Sequence, residues 1–145
     1  TEQIMEYLEI TPPFLMIDRV NEIVPGKSCH AIKILKKDDW FFKCHLEKDK
    51  IMPGVLQIEA MLQTLVLSIY TIKGHKGKLS YVNDISSKLL LSVTPGSQLD
   101  IYADLLSYKR GIAIGDAKIL IDNIKVCEGK FTLISPHDMP IPKTK

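Results

Sequence analysis

Val55-Leu56-Gln57-Ile58-Glu59-Ala60-Met61-Leu62-Gln63-Thr64-Leu65-Val66-Leu67-Ser68-Ile69-Tyr70-Thr71-Ile72 is the longest apolar stretch of the chain, and its periodicity decides what the rest must do. Val55, Ile58, Leu62, Leu65 and Ile69 recur at steps of three and four, with Met61, Val66, Leu67 and Ile72 widening the stripe. This spacing predicts an α-helix over 55–72 that must be covered nearly all round. Each large side chain so covered contributes roughly 1.5–3 kcal/mol, enough to make this helix the centre of the fold. At about 1.5 Å per residue the run approaches bilayer thickness. Gln57, Glu59, Gln63, Thr64, Ser68 and Thr71 interrupt it, so burial in protein is expected, not in a membrane. Met52-Pro53-Gly54 breaks the chain ahead of the helix, and Gly74 suits a left-handed C-cap behind it.

Downstream the pattern changes to β-prone runs over 79–85, 89–93, 98–107, 112–121 and 125–134. Pro95-Gly96, Lys109-Arg110-Gly111 and Asp122-Asn123 are the turn candidates between them, and such short turns favour an antiparallel sheet. Upstream, residues 2–8 can form a short helix that Thr11-Pro12-Pro13 stops. Residues 14–20 read as an extended segment entering a strand, Pro25-Gly26 as a turn, and 28–36 as a half-exposed strand closed by Asp38-Asp39. Trp40-Phe41-Phe42 and His45 fall on what reads as extended chain. One long buried helix and a sheet long enough to curl around it make an α+β fold. All of 1–145 is expected in a single domain, with 135–145 as an irregular tail.

A length of 145 residues suits one domain with a sizeable core. A net charge of +2, with lysines spread along the chain, gives no footing for a nucleic-acid partner. Cys29, Cys44 and Cys127 are odd in number and lack CxxC spacing, so reduced thiols and a cytoplasmic location are expected. No signal peptide is visible in the sequence.

The chemistry concentrates in Trp40 to Gln63. An acid, Glu59, inside an apolar helix is costly to bury without a partner or a task, and His45 on a nearby segment supplies one. Taken singly, each has a plainer reading: His45 as a surface or core histidine, Glu59 as a hydrogen-bonded interface residue. Cys44-His45 as a nucleophilic dyad fails because adjacent side chains on extended backbone point to opposite sides. Zinc bound by Cys29-His30 and Cys44-His45 fails on the same geometry, so no metal is expected. His75 and His137 read as solvent-exposed, and Phe41 and Phe42 as core residues.

Three regions resemble the hot-dog-fold β-hydroxyacyl-acyl-carrier-protein dehydratases of type II fatty-acid synthesis, in the FabZ-like branch. Pro13-Phe14-Leu15-Met16-Ile17-Asp18-Arg19-Val20 is similar to the N-terminal signature of that family. Phe41-Phe42-Lys43-Cys44-His45, followed by Ile51-Met52-Pro53-Gly54-Val55-Leu56-Gln57-Ile58-Glu59-Ala60-Met61-Leu62-Gln63, resembles its active-site segment and central helix at the same His-to-Glu spacing. Val93-Thr94-Pro95-Gly96-Ser97-Gln98-Leu99 is similar to the turn before its later strands. The resemblance implies a hot-dog homodimer, often assembled into a trimer of dimers, with each site taking histidine from one chain and acid from the other. It implies an acyl substrate carried as a phosphopantetheine thioester on acyl-carrier protein, in an apolar tunnel, with no cofactor.

Dehydration of a 3-hydroxyacyl thioester needs a base for the C2 proton, an acid for the departing C3 hydroxyl, and donors for the thioester oxygen. His45 fits the base, because histidine as a residue type exchanges its proton near neutral pH. Glu59 fits the acid, either kept protonated by an apolar wall or holding water or hydroxyl as a carboxylate. The first helical N–H groups, of Gly54 and Val55, are free to receive the oxygen. Gln63, one turn beyond Glu59 on the same face, can orient it, and Phe42 is the aromatic candidate beside the substrate.

The sequence departs from that family at Cys44, where glycine is typical, at Leu46-Glu47 in place of Phe-Pro, at Leu90-Leu91-Ser92 in place of basic and proline residues, and at Glu9-Ile10-Thr11 in place of Pro-His-Arg. The competing readings are a non-catalytic or repurposed module binding carrier protein or acyl chains, and a thioesterase. A glutamate at 59 argues against the isomerase branch, which generally has aspartate there.

Overall fold

The computed structural model describes residues 1–140. The chain enters through helix α1 (Glu2–Leu8), which buries Ile4 and Leu8 and ends where Glu9 turns left-handed at φ 56°. Strands β1 (Arg19–Val24) and β2 (Ser28–Ile34) then pair antiparallel around Pro25-Gly26. Gly26 at φ 78° donates its N–H to Ser68 O at 2.7 Å, tying this turn to the last turns of the central helix.

The segment expected to be extended ahead of His45 is a short helix instead, α2 (Trp40–Cys44), with His45 as its extended C-cap at φ −132°. Packing overrides the strand preference of Trp-Phe-Phe. Phe41 and Phe42 are both buried with ring centroids 4.7 Å apart, and Trp40 Nε1 donates to Pro13 O at 3.1 Å. A turn of helix sets adjacent side chains about 100° apart, so both can reach one core, whereas a strand sends them to opposite faces.

Helix α3 (Gly54–Tyr70) is the predicted centre, shorter at its end by two residues. Thr71 is its C-cap, and Gly74, at φ 86°, serves the next turn. Strands β3 (Tyr81–Leu89), β4 (Gln98–Lys109), β5 (Ile112–Ile121) and β6 (Ile124–Ile134) follow, with a 3₁₀ turn at Pro136–Asp138. The two runs read at 79–85 and 89–93 are thus one strand and a coil. Pairing with β6 holds through Leu89↔Cys127 and then ends, as Leu90 and Leu91 N–H groups both turn to Val126 O. Two-residue turns close β4–β5 and β5–β6, with Arg110-Gly111 at φ 52° and 79° and Asp122-Asn123 at 49° and 65°. Consecutive positive φ values match the twist of a tight hairpin. The tail is a 3₁₀ turn at 136–138, while 141–145 lie outside the described residues.

The six strands of the described residues form one antiparallel sheet in the order β1-β2-β4-β5-β6-β3, packed around α3. Small residues on the inner face, Ala103, Ala113, Gly115, Ala117 and Gly129, let the helix come close. A Cβ on Gly115 would stand 2.6 Å from Leu65 Cδ1 and 2.8 Å from Asp104 O. The helix is buried from Leu56 to Tyr70 except along Ile58, Glu59 and Leu62, and Val55 ahead of them is 73% exposed. On the adjoining edge, Tyr81, Val82, Ile85 and Leu89 of β3, with Leu90 and Leu91 beyond it, are also exposed.

Candidate active site

The sequence places His45 and Glu59 on either side of Met52-Pro53-Gly54, and the fold gives each its own setting. His45 leaves α2 with its ring turned to the following loop, Nδ1 2.9 Å from Ile51 O. A carbonyl only accepts, so Nδ1 carries a proton, and in the neutral ring Nε2 keeps its lone pair, the tautomer a base requires. Cys44 turns the other way, its thiol donating to Trp40 O at 3.4 Å. The helix end thus separates the two side chains that an extended backbone was expected to separate. Leu46, next after the histidine, takes a left-handed φ of 50°, a conformation costly for leucine.

Glu59 lies half-buried on the open stripe of α3. Its carboxyl is pushed above the ordinary range by burial, an effect opposed by a hydrogen bond from Gln63 Nε2 at 2.9 Å. Gln63, 1% exposed, also donates to Phe14 O at 3.0 Å and accepts from Met16 N–H at 2.8 Å. The amide therefore joins the acid to the segment before β1. Phe14 and Met16 are held by this side chain and not by a strand partner, and β1 begins only at Arg19.

Glu59 opens onto a cavity of about 160 Å³ walled by Leu8, Ile10, Leu62, Val66, Val82 and Leu133 and ending at Tyr70 and Ser80. His45 is not among its lining residues. A larger groove of about 440 Å³ crosses the outer face of the sheet between Lys88, Asp116, Lys118 and Lys130, and holds neither His45 nor Glu59. Its mixed charges suit water better than an acyl chain, so size does not mark the site.

At the start of α3, Leu56 and Gln57 N–H groups both donate to Pro53 O, at 3.0 and 3.2 Å. The N–H groups of Gly54 and Val55 have no backbone acceptor among the described residues, as for any helix start. Gly54 is also a close approach, since a Cβ there would overlap Leu89 Cδ1.

Phe42, a candidate at the substrate, is 1% exposed and packed into the core, absent from the Glu59 cavity. Its carbonyl instead accepts from Lys50 Nζ at 2.7 Å, bracing the loop after His45. His75, expected in solvent, pairs with Asp138 at 3.1 Å and meets the Tyr108 ring edge-on, whereas His137 is exposed. Cys29 and Cys127 are buried, which pushes both thiols up to about 12 and leaves them protonated at neutral pH. Sequence reading did not single out Gln57, buried two residues before Glu59. Its signal was a second glutamine six residues from Gln63 in a largely apolar helix.

A sheet wrapped around one central helix, with an acid on the helix and a histidine at the loop leading into it, is the hot-dog arrangement of acyl-thioester enzymes. The model of the FabA-like domain matches residues 10–130. The chain is 35% identical over 129 residues to a 3-hydroxyacyl-[acyl-carrier-protein] dehydratase FabZ of Clostridium novyi, covering 86% of this chain and 91% of that one. It is likewise 35% identical over 132 residues to the enzyme of the same name from Syntrophomonas wolfei, covering 90% and 92%. The chain belongs to the FabA-like family, as a divergent FabZ-like member. Among solved structures, the dehydratase heterocomplex ApeI:P of Xenorhabdus doucetiae superposes with a TM-score of 0.73 at 17% identity, covering 92% of this chain and 90% of that one. A hypothetical thioesterase with coenzyme A from Streptococcus pneumoniae gives 0.65 at 12%, covering 84% and 88%. At such identities these likenesses speak for the fold alone.

Proposed function

We infer that this protein removes water from 3-hydroxyacyl-acyl-carrier-protein, giving the trans-2-enoyl thioester, in fatty-acid synthesis. The observation that carries this reading is 35% identity over 91% of the length of a dehydratase of that specificity. The acyl group arrives as a thioester on the carrier's phosphopantetheine, and the chemistry requires no further cofactor.

In the roles proposed, His45 Nε2 takes the C2 proton, the C2–H electron pair forms the double bond to C3, and the C3–O bond breaks. Glu59 supplies the proton with which the hydroxyl leaves as water, and the upward push on its carboxyl favours holding that proton. Negative charge gathering on the thioester oxygen is received by the N–H groups of Gly54 and Val55. Gln63 orients Glu59.

The working unit is proposed as a homodimer in which His45 of one protomer faces Glu59 of the other. Two features support it: His45 does not line the cavity of its own Glu59, and the apolar edge of β3 with Val55 stands exposed. An edge strand of this kind invites pairing with another copy. Cytoplasmic residence is proposed on the three free cysteines. None of the described helices is long and apolar enough to cross a membrane.

The test is a product assay with 3-hydroxyacyl-carrier-protein substrates of several chain lengths. The trans-2-enoyl product is expected, and His45→Ala and Glu59→Gln each lower the rate on the order of 10²–10⁴. Free thiol release without enoyl product identifies a thioesterase instead, and carrier binding without turnover a binding module.

A further inference from the structure

Gln57 is 3% exposed in the first turn of α3, and its amide is only half satisfied. Nε2 donates to Met52 O at 3.2 Å, while Oε1 is buried without a hydrogen-bond partner among the described residues. Exchanging the two ends of the amide would set oxygen against the Met52 carbonyl, two acceptors facing each other, so the observed orientation is the favourable one. A buried acceptor left unmade is costly, and an apolar side chain of similar volume would pack there without that cost. The residue therefore needs a reason other than packing.

The reason lies in what its two donors hold. The backbone N–H of Gln57 donates to Pro53 O at 3.2 Å and its side chain donates to Met52 O, so one residue grips the two consecutive carbonyls leading into the helix. The Pro53 carbonyl shares a planar peptide unit with the Gly54 N–H, and fixing one end of that plane aims the other. From the opposite side, His45 Nδ1 holds Ile51 O and Val93 O receives the Met52 N–H at 2.8 Å. The Pro53 carbonyl is held by the Leu56 N–H as well, at 3.0 Å, so what the Gln57 side chain adds is a hold on the Met52–Pro53 peptide, from which the ring-locked φ of the proline carries the constraint to the Pro53–Gly54 plane.

Resting on the dehydratase reading above, we propose that Gln57 is a positioning residue that aims the Gly54 N–H at the thioester oxygen, so that its side chain contributes to kcat and not to substrate affinity.

The test uses the full-length protein with Gln57→Met and Gln57→Leu, which keep the backbone bond and delete the side-chain one. The donor is misaimed, not removed, so kcat falls roughly 10-fold, less than the 10²–10³ of losing an oxyanion donor, while KM stays within about 3-fold. Infrared difference spectra of a bound enoyl thioester labelled with ¹³C at the carbonyl supply the second readout. The wild-type band is displaced from its solution frequency, and both variants bring it part of the way back. Unchanged kcat in both variants overturns the proposal, as does lost kcat with an undisplaced band or with a parallel rise in KM. Wild-type turnover that depends on His45 and Glu59 beside unaffected Gln57 variants removes this inference and leaves the dehydratase reading intact. Absence of wild-type turnover removes both.

Discussion

Gln63 donates to Glu59 Oε2 at 2.9 Å, and this bond draws the carboxyl pKa down while burial drives it up. Removing the amide leaves the burial effect unopposed. In Gln63→Leu the limb of the pH–kcat profile that belongs to Glu59 is expected to move to higher pH, because an acid harder to ionise stays protonated further into the alkaline range. The same change orphans the Met16 N–H, so stability should fall by roughly 1–3 kcal/mol. A limb that stays put, or moves to lower pH, contradicts the assignment.

Folding raises the Glu59 pKa, so its contribution to stability is full below the ordinary carboxylate range and is lost as pH rises through the folded value. Across that interval the unfolded chain ionises first. Thermal denaturation of wild type and Glu59→Gln over a pH series should show wild type losing ground to the variant across that interval, with a constant difference below it. Parallel curves throughout would mean that Glu59 is not desolvated in solution.

If each site draws His45 from one protomer and Glu59 from the other, inactive variants should complement. A heterodimer of His45→Ala with Glu59→Gln holds one site with both residues intact and one with neither. Unfolding and refolding the two together should restore close to a quarter of wild-type activity for a random mixture, since about half of the dimers are mixed and each has one of two sites. Sites built within one chain would give no recovery.

Gly115→Ala tests the fit of helix to sheet. The added methyl meets Leu65, fully buried, and the immobile Asp104 carbonyl, so neither neighbour can step aside. A loss of about 1–3 kcal/mol by denaturant unfolding is expected. Leu65→Ala in the same chain recovers little, because the backbone contact remains.

These sites also show what local sequence can carry. Helix 2–8, the strand at 112–121 and both tight hairpins were legible because their signals are local: apolar spacing, and glycine, asparagine or aspartate where φ must be positive. The helix at Trp40–Cys44 was not, since three β-prone aromatics became helical only by packing Phe41 and Phe42 into a core assembled from distant segments. The boundary of β3 was hidden for a like reason, being set at Leu89 by its partner Cys127, 38 residues on. Of the candidate site, residue identities and the Glu59–Gln63 turn could be read from helical spacing. The His45 tautomer could not, because it depends on where the Ile51 carbonyl comes to lie.

The Gln63 amide spans from the middle of the chain to Phe14 and Met16, neither of which belongs to a strand. Aiming of the acid therefore rests on a segment outside the strand pairing. The same sixteen residues bury Ile4, Leu8, Leu15 and Met16 against the core, so a change there that frees Gln63 to turn, and Glu59 with it, also loosens the packing over the central helix. Orientation of the acid and closure of the core at this end of the chain stand or fall together.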